Sequence, residues 1–336
     1  PPLFRRPPSA GEDSPMDALA RLDEVRRRLA AVDLPLPLPG SAGQQATAGA
    51  AISQIDDYVR PRLTDLEAPL LAVVGGPTGA GKSTLTNAIV GETVTVPGVI
   101  RPTTRRPTLV HHPDDARWFQ DGRVLPGLSR IRSTAPGDLG DAGDGELLLV
   151  SSVRIGPGLA LLDAPDIDSI ADENRALANQ LLGAADLWVF VTSANRYADA
   201  VPWAVLDQAA ARGVELAVVL NRIPPGEERT VLSDLRRMLG ERGLPDATVF
   251  AVSEHLDEIA TYAEPIRDHL AAIAGDRHAR ARIAAGTLVG VVADLSTRVD
   301  GIAAALDAQR AWVAQSRATV AEAYAGADDR VEAATR

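Results

Sequence analysis

Gly76-Pro77-Thr78-Gly79-Ala80-Gly81-Lys82-Ser83 spaces two glycines five positions apart and follows the second with Lys and Ser. Glycines at such positions let backbone N–H groups curl around phosphate oxygens with no Cβ in the way. An apolar run, Leu71-Ala72-Val73-Val74, precedes the loop and a helical pattern from Thr84 follows it. Strand, loop and helix in that order are the context this spacing needs to bind phosphate, and the helix N-terminus adds a field that favours an anion. In such a loop Lys82 neutralises β- and γ-phosphates and the Ser83 hydroxyl ligates Mg2+. Composition singles out the same residue. Of 34 basic side chains 33 are Arg, and the sole lysine is Lys82; a compact, rotatable ammonium differs in kind from a planar guanidinium fork.

Three further segments carry chemistry that would complete such a site. Leu159-Ala160-Leu161-Leu162 is an apolar strand that delivers Asp163 to a sheet's carboxyl edge, where ligands bind in open α/β folds. There Asp163 would hold Mg2+ directly or through water. Between the two lies the polar loop Arg101-Pro102-Thr103-Thr104-Arg105-Arg106-Pro107-Thr108. A threonine here can complete the Mg2+ shell, and its loop can order with nucleotide state. Later the strand Leu216–Leu220 ends in Asn221-Arg222-Ile223-Pro224, and Val252-Ser253-Glu254 follows the last strand. Arg222 could cover a base face with its stem and guanidinium, and Ser253 could support a base through its backbone N–H.

Several chemistries are excluded. With no cysteine, disulfides, Cys-ligated zinc and thiol catalysis are impossible. The five histidines have no metal-ligand spacing, and no Gly-x-Ser-x-Gly elbow occurs. Forty-five acidic residues against 34 basic ones leave a net charge of −11, which disfavours nucleic acid as a partner. No apolar run is long enough to span a bilayer, and Pro1-Pro2-Leu3-Phe4-Arg5-Arg6 has no signal-peptide core, so a cytoplasmic location is expected.

The elements that must position these residues can be read from apolar periodicity. Residues 1–14 read as a disordered tail. N-terminal helices over 15–67 carry an apolar stripe of Leu19, Leu22, Val25, Leu29 and Val32, then Ile52, Ile55, Val59 and Leu66, with Pro61 expected to kink or shorten the second helix. Over 68–275, strands at Leu70–Val74, Leu147–Val153, Leu159–Leu162, Leu187–Val191, Leu216–Leu220 and Thr248–Val252 alternate with helical patterns. That alternation predicts an α/β fold with a doubly wound, mostly parallel sheet. From 276 to 336 the pattern is helical. Leu288, Val292, Leu295, Val299, Ile302 and Leu306 make a heptad seam continued by Val313 and Val320 and interrupted at Gln309 and Ser316. The two helical regions are expected to form one bundle, and a pattern that reaches the last residue without a stop signal suggests more chain downstream.

The order of phosphate loop, Thr-Arg-Arg-Pro, Asp-x-Pro and a late Asn-Arg resembles the dynamin-like GTPase superfamily. Thr104-Arg105-Arg106-Pro107 is similar to its switch I; Era-like GTPases share the Thr-Thr-Arg run. The resemblance implies a P-loop G domain with a neck or stalk of helices. It implies GTP and GDP as ligands, Mg2+ on Ser83, Thr104 and Asp163, and chemistry at Lys82, Thr104 and Thr78. Nucleotide contacts would come from Gly76 through Thr84, Asn221, Arg222 and Ser253. It further implies self-assembly as a homodimer or larger through the G domain, and peripheral contact with the inner face of a membrane. Four departures bear on activity: Asp166 replaces the Gly of Asp-x-Pro-Gly, Ile167 stands where Ras-type enzymes place a water-orienting Gln, Thr78-Gly79 replaces Gln-Ser, and Pro224 replaces the Asp that pairs with guanine. The last two openings leave an ATP-using P-loop protein, or a nucleotide-gated scaffold with negligible hydrolysis, as alternatives.

Overall fold

The computed structural model describes residues 15–96, 106–132, 145–169, 171–254 and 259–335. The expected tail 1–14 and the threonine pair Thr103-Thr104 lie outside them.

Eight strands form one sheet: β1 Leu70–Gly75, β2 Thr108–His111, β3 Ser129–Arg132, β4 Glu146–Ser151, β5 Leu159–Asp163, β6 Leu187–Ser193, β7 Glu215–Ile223 and β8 Thr248–Ser253, in the order β3-β4-β2-β5-β1-β6-β7-β8. The strands β5, β1, β6, β7 and β8 run parallel; β2 pairs antiparallel with β5 and carries β4 and β3 parallel to itself. Every residue of β1, β5 and β6 is buried, as expected of strands covered on both faces. Successive side chains point to opposite faces, so Leu71 and Val73 join one core cluster and Leu70, Ala72 and Val74 the other. Helices α6 (Asp172–Gly183), α7 (Ala200–Arg212) and α8 (Glu228–Glu241) contribute to the first cluster. Helices α4 (Lys82–Val90) and α9 (Ile259–Gly275) contribute to the second. The doubly wound α/β expectation is met.

Two strands escape the apolar-run reading. The strand β2 is four residues long with Thr and His at its ends, and the edge strand β3 is Ser-Arg-Ile-Arg with no buried residue, polar in the way sheet edges commonly are. The short helix Ala116–Gln120, which we call α5, also lies in this region.

Before the sheet come α1 (Pro15–Ala30), α2 (Ser41–Gln54), a π turn Ile55–Val59, and α3 (Arg60–Thr64). The kink expected at Pro61 takes the form of that wide turn, with Pro61 in the first turn of the helix after it, where its missing N–H costs little. The final helix α10 runs Arg277–Thr335.

The chain divides into two compact units. One holds Ser53–Ala293 with the described residues before Asp23; the other holds Asp23–Ile52 and Asp294–Arg336. The sheet unit therefore reaches beyond 68–275 at both ends, and of the residues expected in one bundle Val25 and Leu295 fall in one unit and Ile55 in the other. Within the sheet unit a buried hub forms on Asp186, which Ala284 and Thr287 of α10 also join. Its carboxylate accepts from the Tyr58 hydroxyl (3.0 Å), the Leu71 N–H (2.8 Å) and the Arg62 guanidinium, which also donates to the Ala68 and Pro69 carbonyls. Buried charge is tolerated only when it is paired in this way, so the segment carrying Ile55 is fastened to the sheet. In the second unit Leu29, Ala48, Ala51, Leu295 and Ile302 are buried, so N-terminal and C-terminal segments do pack together there. Of the expected seam Leu295 and Ile302 are buried but Val292 and Val320 are exposed, while Val291 and Gln309, outside it, are buried too.

Candidate functional site

The carboxyl ends of β1, β5, β6 and β7 bring Gly75, Asp163, Ser193 and Asn221 to one edge of the sheet. Gly76–Ser83 leaves β1 there and enters α4 at Lys82, with Gly81 as N-cap. Two glycines are obligatory. A Cβ on Gly76 would lie 2.0 Å from the Val191 carbonyl oxygen, and one on Gly81, where φ is 94°, would lie 2.5 Å from the Asn221 amide nitrogen. Only a residue without Cβ fits either contact.

Lys82 is buried, and its ammonium donates to the Gly76 carbonyl at 3.0 Å, the Pro77 carbonyl at 3.1 Å and the Asp166 carboxylate. Ser83 Oγ donates to Asp163 Oδ2 at 2.6 Å. The same oxygen accepts from Thr95 Oγ1 at 3.0 Å. Asp163 is wholly buried, and burial pushes its carboxyl up, against the pull of Ser83, Lys82 and Thr95. Its other oxygen, Oδ1, has no hydrogen-bond partner among the described residues. A buried carboxylate oxygen left over beside a serine hydroxyl is what a hard divalent cation would satisfy, so the donor set fits Mg2+ with Ser83 and Asp163 as the described holders.

Thr78, in the same loop, is held by Asp168. Its N–H and hydroxyl both donate to Asp168 Oδ1, at 2.6 and 2.8 Å. Arg196 completes the arrangement, donating to Asp168 Oδ2 at 2.8 Å, to the Thr78 carbonyl at 3.2 Å and to Asp199 Oδ2 at 2.9 Å. Partial burial alone would raise the Asp168 carboxyl, but the Thr78 N–H and hydroxyl and the Arg196 guanidinium outweigh it and hold the group below the usual carboxylate range. The Thr78 hydroxyl is therefore committed to Asp168.

Asn221 is buried, with its amide nitrogen on the Ala80 carbonyl at 2.8 Å and its oxygen accepting from the Arg222 N–H at 2.8 Å. Arg222 adopts a left-handed φ of 55°, a conformation uncommon for a residue other than glycine. Ile223 pairs with Ser253 across a register shift between β7 and β8, which brings Ser253 beside the Asn221–Ile223 segment. Thr84 is half-buried in the first turn of α4. An open cleft lined by Thr78, Gly79, Asp166, Asp168, Arg196 and Arg222 joins the loop to this segment. Ile167, at the Gln position, is buried in the core.

The sequence reading did not single out Thr95, Asp168 or Arg196. Thr95 follows α4 in an unpatterned stretch, and Asp168 and Arg196 are common residue types in loops. The only signal for Asp168 was its place two residues after Asp166.

A scan against protein-family models finds no match, and a search of curated proteins finds none. Among solved structures the chain is similar to a chain of an oligomerised bacterial dynamin pair described as sensing and tethering membranes, at 13% identity and a TM-score of 0.44, covering 94% of this chain and 51% of that one. It is also similar to Era of Aquifex aeolicus bound to GDP·AlF4− (18% identity, TM-score 0.36, 59% of this chain and 56% of that one). Toc33 of Arabidopsis thaliana in complex with Mg2+ and GMPPNP is a third (14% identity, TM-score 0.36, 68% and 94%). The chain spans about half the length of the bacterial dynamin chains it matches, 51% and 49%. What the site can bind is decided by the residues above.

Proposed function

We propose that this chain is a Mg2+-dependent GTP-binding protein that hydrolyses GTP to GDP and phosphate. The observation that carries the reading is the joining of Lys82, Ser83 and Asp163 at one sheet edge, with Asn221 tied to the same loop. Backbone N–H groups of Gly76–Ser83 cradle the phosphates, and Lys82 neutralises the β/γ end. Ser83 and Asp163 would hold Mg2+, with Thr104 joining them from the loop after α4. A Mg2+ held by these residues would supply positive charge against the phosphate oxygens. Asn221, Arg222 and Ser253 would contact the base. Hydrolysis is attack of water on the γ-phosphorus, driven by positioning and electrostatics. With Ile167 buried and Thr78 held by Asp168, neither supplies a water-orienting group, so turnover is slow or depends on assembly through the G domain. Nucleotide state would then drive that assembly or the helical segments, at the inner face of a membrane in the cytoplasm.

One observation favours a second reading. Pro224 offers no side-chain acceptor for the two guanine donors that an Asp would pair, and an unpaired donor costs affinity. An ATP-using protein, or a nucleotide-gated scaffold that barely turns over, follows from that and from Ile167.

Titrating GDP, a GTP analogue and ATP into the protein with and without Mg2+ separates these readings. Lys82→Ala should weaken binding at least about tenfold, about 1.4 kcal/mol, and Lys82→Arg should also impair it. Unchanged affinity in Lys82→Ala would overturn the phosphate-site assignment.

A further inference from the structure

The short segment after β5 sets two carboxylates against the Gly76–Ser83 loop. Asp166 pairs with the Lys82 ammonium, and both side chains are buried, 7% and 5% exposed. Asp168 takes the N–H and hydroxyl of Thr78. Between them Ile167 is fixed: its side chain is in the core and its N–H donates to the Gly76 carbonyl at 3.3 Å. Anchoring of its neighbour fixes the Asp166 backbone, so its carboxylate leaves Lys82 by side-chain rotation or by movement of the segment.

The Lys82 ammonium is the group that a nucleotide's terminal phosphates need. A phosphoryl group reaching it must share it with an anion, in surroundings where burial strengthens repulsion between like charges. A triphosphate brings one more charged group to that end than a diphosphate does. The Gly of the Asp-x-Pro-Gly pattern would bring no charge to the same place.

We propose that Asp166 is a specificity-determining residue that biases the site towards diphosphate over triphosphate nucleotide, by holding the counter-charge the terminal phosphate requires. The proposal rests on the reading of Gly76–Ser83 as a nucleotide site. In this chain, triphosphate binding is coupled to withdrawal of the Asp166 carboxylate from Lys82, so whatever weakens that pair favours the triphosphate.

The test is isothermal titration of GDP and of a non-hydrolysable GTP analogue, each with Mg2+, and of ADP and a non-hydrolysable ATP analogue. The proteins are the full chain, Asp166→Asn, Asp166→Gly and Lys82→Ala, with circular dichroism to confirm the fold. Asp166→Asn keeps the shape and Asp166→Gly removes the side chain, so the result does not hang on one variant. Both should shift the ratio of triphosphate to diphosphate affinity towards the triphosphate by about tenfold. A ratio that stays within about twofold of the unsubstituted chain, while Lys82→Ala abolishes binding, overturns the role of Asp166 and leaves the nucleotide reading standing. A triphosphate analogue that binds the Asp166 variants but not the unsubstituted chain supports the proposal in its strongest form. If neither the unsubstituted chain nor any variant binds any of the four nucleotides, both the nucleotide reading and the proposal fall.

Discussion

Asn221 lies 141 residues beyond Ala80, yet its amide nitrogen donates to the Ala80 carbonyl at 2.8 Å. One side chain thus fastens the strand end that would read a base to the loop that would hold phosphates. Gly81 makes room for it, because a Cβ there would meet the same nitrogen at 2.5 Å. Asn221→Ala removes a buried hydrogen bond and leaves the Ala80 carbonyl without that donor, a loss of about 1–3 kcal/mol. Nucleotide affinity should fall about tenfold, for guanine and adenine nucleotides alike, because the loop itself is loosened. A loss confined to one base would show that Asn221 acts on the base and not on the loop.

Thr95 and Ser83 share Asp163 Oδ2, at 3.0 and 2.6 Å. Thr95→Val keeps the volume but removes one of the two donors that orient this buried carboxylate. Mg2+ titration in the presence of GDP should then show affinity for the ion reduced by about three- to tenfold, the effect of one hydrogen bond. Thr104→Ala should behave otherwise, leaving diphosphate binding nearly intact and weakening triphosphate analogues. Equal losses in Thr104→Ala for both nucleotides would mean that Thr104 is not a γ-phosphate-dependent ligand.

A pH effect is built in at Asp57, in the π turn Ile55–Val59. Its side chain is buried and accepts from the Gln180 amide at 2.8 Å. Burial pushes its carboxyl from 3.8 up to about 6, against the pull of Gln180. A folded-state pKa above the unfolded one means the folded chain holds the proton more tightly. Stability on this account is greatest at low pH and falls as pH rises from about 4 through about 6, by on the order of 2–3 kcal/mol. Asp57→Asn should therefore melt higher than the unsubstituted chain at pH 7.5, with the difference shrinking towards pH 4. Thermal melts across that range would show it. A difference independent of pH would remove Asp57 from the account.

The central fold was legible because its strands are buried on both faces and therefore read as unbroken apolar runs: Leu187–Val191 and Leu159–Leu162 are too short for helices and alternate with helical patterns. The edge strand Ser129–Arg132 was not legible, since it buries no residue. In the site, Lys82, Ser83, Asp163 and Asn221 were found through residue type and spacing, and the structure brings them together. Thr95, Asp168 and Arg196 were missed for a shared reason. Each acts through a hydrogen bond to a partner distant in sequence, as Arg196 does with Thr78 118 residues before it, and no local pattern encodes such a pair. The apolar stripe through Ile55 says that it is buried, not what covers it.

Gln309 is the clearest case in which a pattern and a structure disagree about one side chain. In the heptad reading it is a flaw that interrupts an apolar seam. In the structure it is buried, its amide nitrogen donates to the Leu36 carbonyl at 2.9 Å and to Ser41 Oγ at 3.1 Å, and its oxygen accepts from the Leu36 N–H at 3.3 Å. The segment it holds alternates leucine with proline from Leu34 to Pro39. Proline has no N–H, so Leu36 supplies one of the few backbone donors there, and Gln309 is what receives it. The two readings give opposite results for Gln309→Leu. A heptad seam would be strengthened by it, since burying a leucine is worth roughly 1.5–3 kcal/mol. On the structure, the Leu36 N–H and the Ser41 hydroxyl lose this partner, and an unmet buried group costs about 1–3 kcal/mol. We expect hydrogen exchange at Leu36 and the start of α2 to speed up about tenfold or more in Gln309→Leu, through local opening of the Asp23–Ile52 segment. Exchange that is unchanged or slower would restore the heptad seam as the principle by which this unit is held together.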